Sequence, residues 1–153
     1  MSNNTKELNL AEIEEQLLNA SVPNELLDTL KESSVENAEV TELMYQYYLD
    51  SNDYKNAMYY LELGDKFGDG YAQLCLASLY QQGQHCPQDE QRSQSLFEKA
   101  AQNGEPEAQY QLGAGLLLAA NNEDEIEQGV YWLNESFLNG NDDSKELIDT
   151  LCA

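Results

Sequence analysis

Three glycines at one interval constrain this chain more than any other feature. Gly68, Gly104 and Gly140 stand 36 residues apart. Each closes a segment whose apolar residues recur at helical spacing: Leu63 to Gly68, Glu98 to Gly104, Asn134 to Gly140. Glycine just after a helix takes the left-handed conformation cheaply, because it has no Cβ to clash. A fixed period of this length is the signature of stacked helical repeats, each too small to bury its own apolar face. Other positions keep the same step. Ala72 answers Ala108, Leu76 answers Leu112, Ala77 answers Gly113, Tyr80 answers Leu116, Leu96 answers Trp132 and Phe97 answers Leu133. The Leu76/Tyr80 and Leu112/Leu116 spacings put apolar side chains on one stripe of a helix. Small residues at 77 and 113 predict a close approach between the two helices of a pair.

Each unit reads as a helix pair. Unit one spans 36–50 and 53–67, unit two 71–82 and 89–103, unit three 106–120 and 123–139. Asp53 and Asp89 stand where an N-cap is wanted. Pro87 and Pro106 fall in loops or first turns, where proline is tolerated. The loop of unit one is shorter by about four residues, so its alignment needs a gap. At the N-terminal end, residues 8–19 form an amphipathic helix on Leu8, Ala11, Ile13, Leu17 and Leu18. Pro23 opens a second helix carrying Leu26, Leu27 and Leu30. Ser33 and Glu36 suggest a capping box before unit one. After Asn141 a short helix carries Leu147, Ile148 and Leu151. The sequence therefore predicts one all-α domain over 1–153, an α-solenoid of helix-turn-helix repeats with helical caps at both ends. The N-terminal cap covers 1–35, the repeats 36–70, 71–105 and 106–140, and the C-terminal capping helix 141–153.

Unit two carries Ala72 to Gly83, then Pro87 to Asp89, then Ser95 to Gly104, and this arrangement resembles a Sel1-like repeat. That family is the longer-loop cousin of the tetratricopeptide repeat. Ala108 to Gly113 repeats the opening, and unit one, with its shorter loop, looks more like a tetratricopeptide repeat. Unit three replaces the glycines and proline of the long loop with Asn121 to Glu125. The resemblance covers about residues 38–140. It implies a protein that works by binding, as an adaptor, scaffold, inhibitor or regulator, without catalytic residues. Some secreted relatives hold a disulfide in each repeat, but the matching positions here are Ala101 and Gln109.

The charge balance narrows the class of partner. Twenty-nine acids face seven bases, a formal net charge of −22. A nucleic-acid binder must neutralise phosphates with Lys and Arg. Lys6, Lys31, Lys55, Lys66, Arg92, Lys99 and Lys145 form no cluster, so nucleic acid and anionic membrane are excluded as partners. A basic protein surface fits the charge, as does a plain role in solubility. Mutual repulsion also points to a monomer in the free state. No signal-peptide order follows the polar start, no window approaches a membrane span, and Cys75, Cys86 and Cys152 read as reduced thiols, which suggests a cytoplasmic protein.

No constellation carries chemistry. One His and three scattered Cys do not supply the four ligands of a structural metal site. His85 beside Cys86 reads as an exposed loop residue, and no nucleophile–base set converges. Catalytic, metal and cofactor residues are accordingly expected to be none. Several of the acid clusters at Glu12, Asp89, Glu123 and Asp142 fall at predicted helix starts, where carboxylates suit the helix dipole. Tyrosines crowd residues 45–60: Tyr48 and Tyr60 match core positions, whereas Tyr71 and Tyr110 are expected on a binding surface. With tetratricopeptide-like packing, the inner face comprises Glu39, Glu42 and Gln46 in unit one. Unit two contributes Tyr71, Leu74, Ser78 and Gln82, and unit three Glu107, Tyr110 and Ala114. Leu117 and Leu118 also point inward, where the C-terminal helix is expected to cover them. The expected function is non-enzymatic protein binding with a basic partner, as an inhibitor such as a toxin-neutralising immunity protein. The alternative is a regulatory adaptor for a cytosolic protein or peptide.

Overall fold

The computed structural model describes residues 9–18 and 22–152. The predicted ends of the first helix, Leu8 and residue 19, lie outside them, as does Ala153. Among the described residues nine α-helices follow one another: α1 (Leu10–Leu18), α2 (Asn24–Ser34), α3 (Ala38–Asp50), α4 (Tyr54–Phe67), α5 (Gly70–Gln82), α6 (Glu90–Gln102), α7 (Pro106–Ala119), α8 (Glu123–Leu138) and α9 (Asp142–Cys152). The predicted helix pairs are all present. The chain forms two compact units, Met1–Leu63 and Gly64–Ala153.

Local chemistry sets the helix ends. Asp53 Oδ1 accepts from the Asn56 amide at 3.2 Å, and Asp89 Oδ1 from the Arg92 amide at 3.0 Å, so both predicted caps form. Pro106 occupies the first turn of α7. Gly68, Gly104 and Gly140 have φ of +78°, +87° and +104°. Behind each, the next amide reaches back five residues: Asp69 to the Gly64 carbonyl at 3.0 Å, Glu105 to Ala100 at 2.9 Å, Asn141 to Ser136 at 3.0 Å. This bond satisfies a carbonyl that the helix end would leave without a partner.

One predicted cap is corrected. Ser33 and Ser34 do not open α3; they close α2. Ser33 Oγ donates to the Thr29 carbonyl at 2.9 Å and Ser34 Oγ to that of Lys31 at 2.8 Å. Asn37 caps α3 instead, its Oδ1 accepting from Glu39 N at 3.0 Å and Val40 N at 3.2 Å. A serine in a last turn finds a carbonyl three or four residues back, and that bond competes with capping.

In the first unit the core comprises Leu30, Val40, Met44, Tyr45 and Leu61, all almost fully buried. Tyr48 stacks on Tyr60 with ring centroids 5.5 Å apart and planes 8° from parallel. Both are buried, as their repeat positions predict. Burial pushes the Tyr60 phenol up to about 12. Helices α1 and α2 both pack on α3.

In the second unit Leu76, Leu96 and Leu133 are buried, each stabilising by about 1.5–3 kcal/mol. Ala100, Ala101 and Ala108 form a cluster against which Leu74, Phe97, Leu112 and Trp132 pack. The close approach predicted at Ala77 and Gly113 is present. Ser93 Oγ donates to the Ala77 carbonyl at 2.8 Å. One period on, a Cβ at Gly113 would stand 2.8 Å from the Gly129 carbonyl oxygen.

A buried polar ladder runs at the same period. Asn103 Nδ2 donates to Gln73 Oε1 at 2.8 Å, and Asn139 Nδ2 to Gln109 Oε1 at 2.9 Å. Each glutamine also donates backwards, Gln73 to Asp65 Oδ1 at 2.8 Å and Gln109 to the Ala101 carbonyl at 2.9 Å. Both amides are almost fully buried and satisfied at both ends, which ties consecutive helix pairs together.

The C-terminal helix does not cover Leu118. Leu117 is half-buried against Gly129, and Leu118 is 91% exposed. Helix α9 packs on α8, where Ser144 Oγ donates to Ser136 Oγ at 2.7 Å.

Candidate protein-interaction site

The predicted binding residues of the first unit lie on α3. Glu39, Glu42 and Gln46 are exposed, at spacings of three and four residues that place them on one stripe. Gln46 Nε2 donates to Glu42 Oε1 at 3.1 Å, which aligns the pair along the helix. Gln46 also borders a cleft of about 500 Å³ between α1 and α3, with Leu17, Leu43 and Tyr47 in its lining. The inner-face reading did not anticipate this cleft. Its signal in the sequence is the apolar stripe of α1, which serves equally well for plain burial.

In the second unit the predicted residues divide by depth. On α5, Tyr71 and Gln82 are exposed, while Leu74 and Ser78 are half-buried. Leu74 is partly spent on the alanine cluster, and Ser78 Oγ returns to the Leu74 carbonyl at 3.1 Å. On α7, Glu107 is exposed and Tyr110 and Ala114 are half-buried. Glu107 accepts from Gln111 Nε2 at 3.0 Å and from Asn141 Nδ2 at 3.4 Å, so the start of α9 helps to orient it.

The starts of α5 and α7 meet. A Cβ at Gly70 would come within 3.1 Å of Glu105 Cβ. Tyr71, a side-chain hydrogen-bond partner of Cys75, stands 47% exposed at the same end. Acids crowd here. Burial above all, with the charges of Asp69 and Glu107, raises the Glu105 carboxyl above its ordinary range. Burial likewise raises the Cys75 thiol, with Asp69 and Glu105 adding to the effect. Asp69, Glu105 and Glu107 thus form a concentrated negative patch at the starts of α5 and α7. Glu105 lies outside the predicted set; in the sequence it is a single acid between the helix-closing Gly104 and Pro106, with no signal of its own.

Apolar side chains are also presented on α8. Tyr131 and Leu138 stand seven residues apart, 55% and 75% exposed. His85 is exposed in the loop before α6. Cys75 and Cys86 are free thiols, and the Cys86 thiol contacts the Leu79 carbonyl at 3.5 Å. No helix is long and apolar enough to cross a membrane among the described residues.

No protein-family model and no curated protein matches the chain. Solved structures do. A Sel1 repeat protein from Oxalobacter formigenes superposes with a TM-score of 0.67 at 24% identity, covering 81% of this chain and 97% of that one. The Helicobacter pylori cysteine-rich protein B superposes with a TM-score of 0.59 at 16% identity, covering 78% of this chain and 94% of that one. The fold is thus an all-α solenoid of Sel1-like helix pairs, as the resemblance in unit two implies.

Proposed function

We propose that this chain is a non-enzymatic protein-interaction module that binds a basic protein, as an inhibitor of the kind that neutralises a toxin. The observation that carries the reading is the charge. Twenty-nine acids face seven bases, which leaves a formal net charge of −22 for a partner's bases to meet. The crowding of Asp69, Glu105 and Glu107 beside exposed Tyr71 gives this excess a local focus. A Lys or Arg seated there would gain Coulomb energy from the clustered carboxylates. Tyr71 and Tyr110 supply aromatic area of the kind that anchors interfaces.

Steering follows from the same charge. An acidic field can raise the on-rate of a basic partner by roughly 10 to 1,000-fold at low salt. At about 0.15 M salt the Debye length is roughly 8 Å, so only charges near the contact contribute. The repulsion also keeps the free chain monomeric. Partner capture followed by mass spectrometry identifies the protein to use. Association rates measured between about 50 and 500 mM salt should then fall by tenfold or more, in the range that steering sets. Alanine at Tyr71 and Tyr110 together should raise the dissociation rate. A rate that hardly moves with salt, or a captured partner that is acidic, would refute the reading. A neighbouring gene for a cationic toxin would favour the inhibitor over a regulatory adaptor.

A further inference from the structure

The cleft between α1 and α3 has a chemistry of its own. Its floor is apolar, made by Leu17, Leu43 and Tyr47. Leu17 is buried, while Leu43 and Tyr47 are half-buried and keep a face towards the opening. Leu18 also lines it, 80% exposed, a large aliphatic side chain with nothing of the described chain over most of its surface. The rim is acidic, with Glu14 on α1 and Asp50 on the last residue of α3, and no base is among the lining residues. Asp50 sits where the dipole of α3 is negative, and the last turn of that helix carries no basic residue. A cation there would be favoured by both the carboxylate and the helix end. The volume of about 500 Å³ is that of a site for a short segment or a small molecule.

We infer that this cleft is a docking site for a short segment of a protein partner in which aliphatic side chains are flanked by Lys or Arg. The apolar floor takes the aliphatic groups, and Glu14 and Asp50 take the flanking cations. An acidic or uncharged apolar segment would meet the same floor but lose the ion pairs. A polycation without aliphatic groups would meet the same rim but leave Leu18 and the floor wet. This specificity lies in the first unit and stands independently of the acids around Tyr71 in the second.

The test titrates the full chain with a fluorescein-labelled peptide, Lys-Lys-Leu-Leu-Lys-Lys. Two control peptides replace the leucines by serine or the lysines by glutamate. The leucine–lysine peptide should bind, and both controls should bind at least tenfold more weakly, the loss expected when an anchor is removed. Leu18→Ser with Tyr47→Ser should weaken it by about tenfold or more. Because Leu18 is already exposed, Leu18→Ser alone tests the site without threatening the fold. Glu14→Gln with Asp50→Asn should weaken it several-fold at low salt, whereas Asp124→Asn with Glu127→Gln on α8 should not. Tyr71→Ala with Tyr110→Ala should leave the peptide bound, which separates this site from the surface proposed above. Equal binding of the serine peptide, or equal loss with the α8 pair, would mean diffuse charge attraction and overturn the inference. Saturable peptide binding untouched by the Leu18, Tyr47, Glu14 and Asp50 variants would overturn it too.

Discussion

Two glycines two residues apart on α7 offer a direct test of how the helix pairs are held. A Cβ on Gly113 would lie 2.8 Å from the Gly129 carbonyl oxygen, 2.9 Å from Leu133 Cγ and 3.0 Å from Leu133 N. Two of those neighbours are backbone, so α7 and α8 must separate to admit it. A Cβ on Gly115 meets nothing within 4 Å. Both glycines are inside the same helix, so Gly→Ala gains the same helix propensity at each, about 1 kcal/mol. Overpacking at a tight contact costs typically about 1–3 kcal/mol. Gly115→Ala should therefore stabilise by about 1 kcal/mol. Gly113→Ala should fall about 1–3 kcal/mol below it, the overpacking term alone, because propensity cancels in the comparison. Thermal melts followed by circular dichroism resolve this, since 1 kcal/mol moves the midpoint by about 2–4 °C in a domain of this size. Equal melting temperatures for the two variants would show that α7 and α8 are not in contact through Gly113 and Gly129, and the packing described here would be wrong.

Three further outcomes are expected. Gln109→Ala should cost about 1–3 kcal/mol, because it removes two hydrogen bonds, one to the Ala101 carbonyl and one from the Asn139 amide, and exposed Gln111→Ala on the same helix should cost almost nothing; equal losses in urea titrations would dismiss the ladder. Gly104→Ala should destabilise by about 1–2 kcal/mol through its left-handed backbone alone, since nothing lies within 4 Å of the added Cβ; Gly104→Asn should cost less, and a stabilising Gly104→Ala would refute the left-handed cap. Glu105 has a raised carboxyl in the folded chain, so the fold binds its proton more readily than the unfolded chain does. The penalty is full above the raised value and shrinks as pH falls towards the ordinary carboxylate value, about 4.3. Glu105→Gln should thus stabilise at pH 7, and its advantage should fade towards about pH 4; an advantage that stays constant with pH would exclude a titrating origin.

The period, the helix pairs and most of the helix ends are local properties, and the amino-acid sequence alone determines them. Gly68, Gly104 and Gly140 terminate helices because of their own missing Cβ, and Asp53 and Asp89 cap the helices they precede by a single residue. The Gln73/Asn103 and Gln109/Asn139 ladder stands at the same 36-residue step. It was legible in principle, but polar residues carry no hydrophobic period to draw attention. Which surfaces stay open is a different kind of property. Ser33, Ser34 and Asn37 are all acceptable caps, and the choice fell to Asn37 when Ser34 became buried with Thr41 donating to its carbonyl. Leu118 is an aliphatic residue on an otherwise apolar run, yet it is exposed, while α9 packs on α8. The cleft beside Leu18 likewise exists only because α1 and α3 leave space between them. Caps and periods act over a few residues of chain, whereas exposure depends on which distant helix arrives to cover a face, and that is decided only by the tertiary packing.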